Sequence, residues 1–150
     1  MPREGMVHAL VLLYGVLTSH GTLVDLRPDR MANACDHRAG QPHIYCVEGE
    51  QRVHVGYLKT AKPLADYRAA DRAVRNVIRQ GLFALQTVEV FSFRYHVDSL
   101  ATLDKALATR WASTILDAPT RRRLQACLHK HPAAKIMMVD RMRLTVMEKR

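Results

Sequence analysis

The sequence predicts an α+β fold: one mixed, largely antiparallel sheet of about five strands with helices packed on it. Three stretches carry this reading. "PHIYCVEGEQRVHVGYLKT", residues 42–60, has two alternating runs around Gly49 and reads as a hairpin. "LFALQTVEVFSFRYHV", 82–97, and "AKIMMVDRMRLTVMEK", 134–149, are long late strands with helical patterns between them. Hairpins and long strands in that order imply antiparallel pairing.

The elements follow in order. From Met6 to Leu17, the residues Val7, Leu10, Val11, Tyr14 and Leu17 fall at helical spacing. Leu12, Leu13 and Val16 make that helix apolar nearly all round, so it calls for burial on more than one side. Gly21 stops it, and "TLVDL", 22–26, is a short strand bounded by Pro28. Residues 27–41 form a polar loop. The hairpin strands run over His43–Glu48 and Gln51–Leu58. Simple alternation sets Val53, Val55 and Tyr57 on one face and Arg52, His54 and Gly56 on the other. Thr60 caps the next helix, with Pro63 in its first turn and Gly81 past its end. Leu64, Tyr67, Ala70, Val74, Val77 and Ile78 form its core face. The strand over 82–97 carries Phe91, Phe93, Tyr95 and Val97 on one face and Val88 and Val90 on the other. Both faces are therefore partly covered, or the strand is bulged. Asp98 or Ser99 starts a helix through Leu100, Leu103, Leu107 and Trp111. Asp117 caps another, with Pro119 in its first turn and Leu124, Cys127 and Leu128 inside. In the last strand Ile136, Met138, Met142, Leu144 and Val146 share a face, interrupted by Asp140. Its length places it inside the sheet.

A length of 150 residues fits a single domain, 1–150, with a core of its own. Hydrophobic residues make up 48% and charged residues 25%, the balance of a globular chain rather than a disordered one. The formal net charge of +9 favours anionic partners without choosing among them. Three cysteines form no disulfide framework, which points to a reducing, cytoplasmic compartment. No apolar run is long enough for a membrane span, and "LTSHG" offers no cleavage site for a signal peptide.

Four constellations could carry chemistry. Asp25, Arg27 and Arg30 lie where the first strand ends, and the carboxyl ends of strands are where ligands sit in α/β sheets. Arg94 and His96, side by side on the strand over 82–97, could hold an anion or act in acid–base chemistry. Arg68, Arg72, Arg75 and Arg79 form a helical stripe suited to phosphates; a solvated outer face explains the same pattern. Cys35, His37, His43 and Cys46 are the right ligand types for zinc, but their spacing matches no common finger. His43 and Cys46 also fall on opposite faces of a regular strand, so the expectation is no metal and no cofactor. Gly-rich phosphate loops, the G-x-S-x-G elbow and H-E-x-x-H are absent from the sequence.

"ALVLLYGVLTSHGTLVDLRP" resembles the helix and fifth strand of class I S-adenosylmethionine-dependent methyltransferases, with Ser19 and His20 where that family often has Pro and Gly. "EVFSFRYHVDSLATLDKALATRW" is similar to the family's late strand and an inserted helix, and "AKIMMVDRMRLTVMEK" to its final antiparallel strand. The resemblance touches about half of the chain, mainly its ends. It implies the C-terminal half of a Rossmann-like fold standing alone, without the family's cofactor loop or the acidic residue that grips the ribose. No methyltransferase catalytic or cofactor residue carries over. The reading is therefore a non-catalytic remnant that binds a partner or ligand. The edge of the first strand and the apolar first helix would need covering, by a homodimer or a protein partner. The alternatives are a nucleic-acid or anion-binding module using the Arg68–Arg79 stripe, or a small enzyme with a site among Asp25, Arg27, His37 and His96.

Overall fold

The computed structural model describes residues 5–30, 40–60, 64–111 and 114–150. The elements are α1 (Gly5–Val16), β1 (Thr22–Pro28), β2 (His43–Glu48), β3 (Gln51–Tyr57), β4 (Lys59–Thr60), α2 (Leu64–Arg79), β5 (Phe83–Val97), α3 (Leu100–Thr109), β6 (Thr114–Ile115), α4 (Ala118–Lys130) and β7 (Lys135–Lys149). The fold is α+β with a five-stranded main sheet. β7 is its interior strand. It pairs antiparallel with β1 from Thr22↔Glu148 to Pro28↔Met142, and with β2 from His43↔Val139 to Val47↔Lys135. β3 extends the sheet from β2, and β5 pairs β7. β4 and β6 form a separate short ladder.

The chain divides into two compact units. The first comprises Met1–Met31, Pro63–Phe91 and Met142–Arg150; the second comprises Ala32–Lys62 and Ser92–Arg141. The core of the first is Leu10, Ala73, Val74, Val77, Phe83 and Met147, with Val7, Tyr14 and Ile78 packed against it. Tyr14 meets Phe83 edge-on at 5.6 Å between ring centroids, and its hydroxyl donates to the Arg150 carbonyl at 3.1 Å. The core of the second joins Ile44, Cys46, Val55, Ile136 and Met138 from the sheet to Leu103 of α3 and Leu124 of α4.

Both helices of the second unit begin on caps legible in the sequence. Ser99 accepts from the Thr102 N–H at 3.1 Å, and Asp117 accepts from the Thr120 N–H at 2.9 Å. Gly81, with φ 76°, follows α2 as expected.

Several local expectations are corrected. Thr60 lies in β4 opposite Thr114, and residues 61–63, where its expected cap would meet the helix, lie outside the described residues. α3 ends at Thr109, short of Trp111, which packs edge-on against Tyr95 at 4.8 Å instead. α1 buries only Leu10 fully and leaves Met6, Val11, Leu12, Leu13 and Val16 exposed. In β7 the buried positions are Ile136, Met137 and Met138 early and Thr145 and Met147 late, so the single alternating apolar face is not kept. β5 is covered on neither face through its middle.

Candidate functional site

The end of β1 gathers part of the first constellation. Asp25 and Arg27 alternate along the strand, Asp29 follows its end, and register sets Arg27 opposite Arg143. Asp71 of α2 reaches between the two guanidiniums. Arg27 Nε lies 3.0 Å from Asp25 Oδ2 and its Nη2 lies 2.7 Å from Asp71 Oδ1. Arg143 Nη2 lies 2.9 Å from Asp29 Oδ1, and its Nη1 lies 3.5 Å from Asp71 Oδ1. The Arg30 guanidinium sits 5.9 Å from the centroid of Tyr67. Burial pushes the Asp25 carboxyl up, against the pull of Arg27. The cavity these groups line is about 10 Å³, the space of one water molecule. Carboxylates and guanidiniums balance here, so the cluster ties β1, β7 and α2 together and has little room for an organic ligand. Asp29, Tyr67, Asp71 and Arg143 were not legible as members, since only pairing and helix docking bring them in.

The other sequence candidates fall elsewhere. Arg68, Arg72, Arg75 and Arg79 are all exposed on α2, so the stripe exists as spaced. Arg75 Nε donates back to the Asp71 carbonyl at 3.2 Å, and Arg79 donates to Asn76 Oδ1 at 3.0 Å. Arg94 and His96 are exposed on β5. β1 and β5 each pair β7 rather than one another. Cys35 and His37 lie outside the described residues. His43 and Cys46 point to opposite faces of β2, with Cys46 buried in the core. Among the described residues no group of three or more acidic, His or Cys side chains could hold a metal ion. No helix among them is long and apolar enough to cross a membrane.

Sequence reasoning missed the outer face of the β2–β3 hairpin. β3 carries a bulge: Ile44 pairs Gly56 while Tyr45 pairs His54, leaving Val55 as the extra residue. Val55 is buried in the core, and Arg123 Nε donates to its carbonyl at 2.6 Å. Past the bulge the alternation is shifted by one, so Tyr57 joins the side of His54 rather than that of Val53. His43 and Tyr45 of β2 stand opposite them. The ring centroids are 4.7 Å apart for His43–Tyr57, 4.9 Å for His54–Tyr57, 5.1 Å for Tyr45–His54 and 5.2 Å for His43–His54. Burial lowers the pKa of His43, the neighbouring His54 lowers it further, and Asp140 opposes both.

β5 is the second surface that periodicity did not reveal. Among the described residues, its fifteen positions pair on one edge only, with β7. Arg150 N donates to the Leu82 carbonyl at one end, and Lys135 meets Asp98 at the other, so the pair is antiparallel. Leu85, Val88, Val90, Phe91 and Phe93 are each 40–50% exposed, on both faces of the strand. "FALQTVEVFSFRYHV" contains no Lys, Pro or Gly, the usual devices that protect an edge.

No family model, no curated protein and no solved structure matches the chain.

Proposed function

We propose that the protein is a non-catalytic association module that joins a second copy of itself through the free edge of β5. The observation that carries this is the long unprotected edge with exposed apolar side chains on both faces. The occupant follows from charge. In a chain of net charge +9, β5 holds one Glu and one Arg, Glu89 and Arg94, so two copies meet there with little repulsion. The strand is also self-complementary. An antiparallel pair about a two-fold axis at Ser92 sets Phe91 of each copy opposite Phe93 of the other. Each such aromatic pair contributes about 0.2–1 kcal/mol relative to an alanine pair. In this proposal the methyltransferase-like resemblance rests on the sequence of the end segments alone, and the chain uses no cofactor.

Light scattering on a size-exclusion column tests the association. The expected mass is twice 17.0 kDa, falling to 17.0 kDa for Phe91→Asp/Phe93→Asp with an unchanged circular dichroism spectrum. A wild-type monomer at high micromolar concentration, or a dimer untouched by these substitutions, overturns the β5 interface. Calorimetry with S-adenosylmethionine is expected to show no binding; micromolar affinity would overturn the non-catalytic reading.

A further inference from the structure

We propose that the outer face of the β2–β3 hairpin, carrying His43, Tyr45, His54 and Tyr57, binds a single-stranded polynucleotide whose bases stack on these rings. The rings are gathered rather than scattered, with each of the two histidines within 5.2 Å of both the other histidine and Tyr57, centroid to centroid. They are also accessible: His54 is exposed and the other three are half-buried. Both helices of this unit contribute to the core on the opposite side of the sheet, with Ile44, Cys46 and Val55. An aromatic cluster placed for stability alone belongs under a helix; this one faces outward.

Charge selects the occupant. Arg52 lies opposite Val47 on the ring-bearing face, and Lys135 lies opposite Val47 on the other side of β2. Among the described residues of β2, β3 and the stretch of β7 paired with β2, no Asp or Glu shares the ring-bearing side by register. Lys135 also meets the exposed Asp98 at 3.0 Å, and Asp140 is near enough to act on His43. Arg52 beside these π-faces, in a chain of net charge +9, matches an anionic chain bearing exposed bases. A duplex hides its base faces, and an acidic peptide offers no rings to stack, so both fit less well. Burial and the neighbouring His54 lower the basicity of His43, which favours its neutral form as a stacking ring.

Fluorescence polarisation with short labelled oligo(rU), oligo(dT) and a duplex of equal length tests this. Wild type is expected to bind the single strands more tightly than the duplex, with affinity falling steeply between about 50 and 200 mM salt. The two single-stranded probes decide between RNA and DNA. Tyr45→Ala and Tyr57→Ala should each weaken binding about tenfold, while Tyr45→Phe, which keeps the ring, should stay within about twofold. Ultraviolet cross-linking of the wild-type chain to oligo(rU), mapped by mass spectrometry, should mark Tyr45 or Tyr57 and needs no variant. The proposal is overturned by equal affinity for duplex and single strand, by ring removal without effect in a folded variant, or by cross-links confined to α2. Loss of binding in Arg72→Glu/Arg75→Glu with the ring variants unaffected would move the site to the arginine stripe. The Phe91→Asp/Phe93→Asp variant separates this reading from dimerisation, because a monomer should still bind.

Discussion

Gly56→Ala is the substitution on which the hairpin geometry depends most. Gly56 has φ 151°, a backbone conformation reserved in practice for glycine, and holding another residue there costs about 1–3 kcal/mol. Its missing side chain is also the space that α4 occupies. A Cβ would stand 2.6 Å from Thr120 Oγ1, 2.7 Å from Thr120 Cγ2 and 2.9 Å from Arg123 Nη2. Thr120 cannot step aside easily. It is 2% exposed, and its N–H is held by the Asp117 cap. Overpacking of this kind adds about 1–3 kcal/mol. The two terms together give a loss of at least about 2 kcal/mol, read from urea unfolding as a lower midpoint at unchanged slope. Thr120→Ala removes both closest atoms, so in the double variant the steric share should return while the backbone share remains. A loss under about 0.5 kcal/mol for Gly56→Ala, or no coupling with Thr120→Ala, would refute the close approach of β3 and α4.

Other outcomes follow from the polar network, the caps and the core. Asp71→Asn strips a charged acceptor from both Arg27 and Arg143 and should cost about 1–3 kcal/mol in a urea melt. Asp25→Asn should be neutral or stabilising at pH 7. A carboxylate whose folded pKa is raised opposes folding while ionised, and that opposition is relieved as pH falls through its folded pKa. The Asp117 carboxyl runs the other way. Hydrogen bonds from the Thr120 side chain and N–H, with help from Lys59, hold its pKa at about 2 against a reference of 3.8. Its contribution is therefore complete above about pH 4 and lost as pH falls through about 2, so Asp117→Asn should flatten that part of a melting-temperature profile. Asp117→Ala should cost about 1 kcal/mol at neutral pH. Phe83→Ala, at a fully buried ring packed by Tyr14, should cost about 3–5 kcal/mol and lower the thermal midpoint sharply.

The helices and strands were readable because each rests on a local signal. Ser99 and Asp117 cap by their own side chains, Gly49 and Gly81 turn by their own backbones, and α2 shows its core through Ala70, Val74 and Val77 at helical spacing. The arginine stripe on α2 was equally local and stands exposed as spaced. Asp25, Arg27 and Arg30 were singled out at the end of β1, but their partners came from α2 and β7, far along the chain. The aromatic face escaped because alternation counts residues and a bulge adds one. Nothing between Arg52 and Tyr57 announces that Val55 is the residue left out of register.

The order of the helices and longer strands, the α+β class, the caps of α3 and α4 and the interior place of the last strand are determined by the sequence itself, since periodicity and side-chain chemistry act over a few residues. Tertiary structure alone decided three things. Pairing with β7 on one edge left β5 open on the other among the described residues. Docking of α2 and β7 turned the charges at the end of β1 into a closed ion-pair network. The approach of α4 to Gly56, with Arg123 holding the Val55 carbonyl, set the bulge that brings Tyr57 beside His54. Each depends on surfaces that meet only when distant segments pack, and no local spacing encodes that meeting.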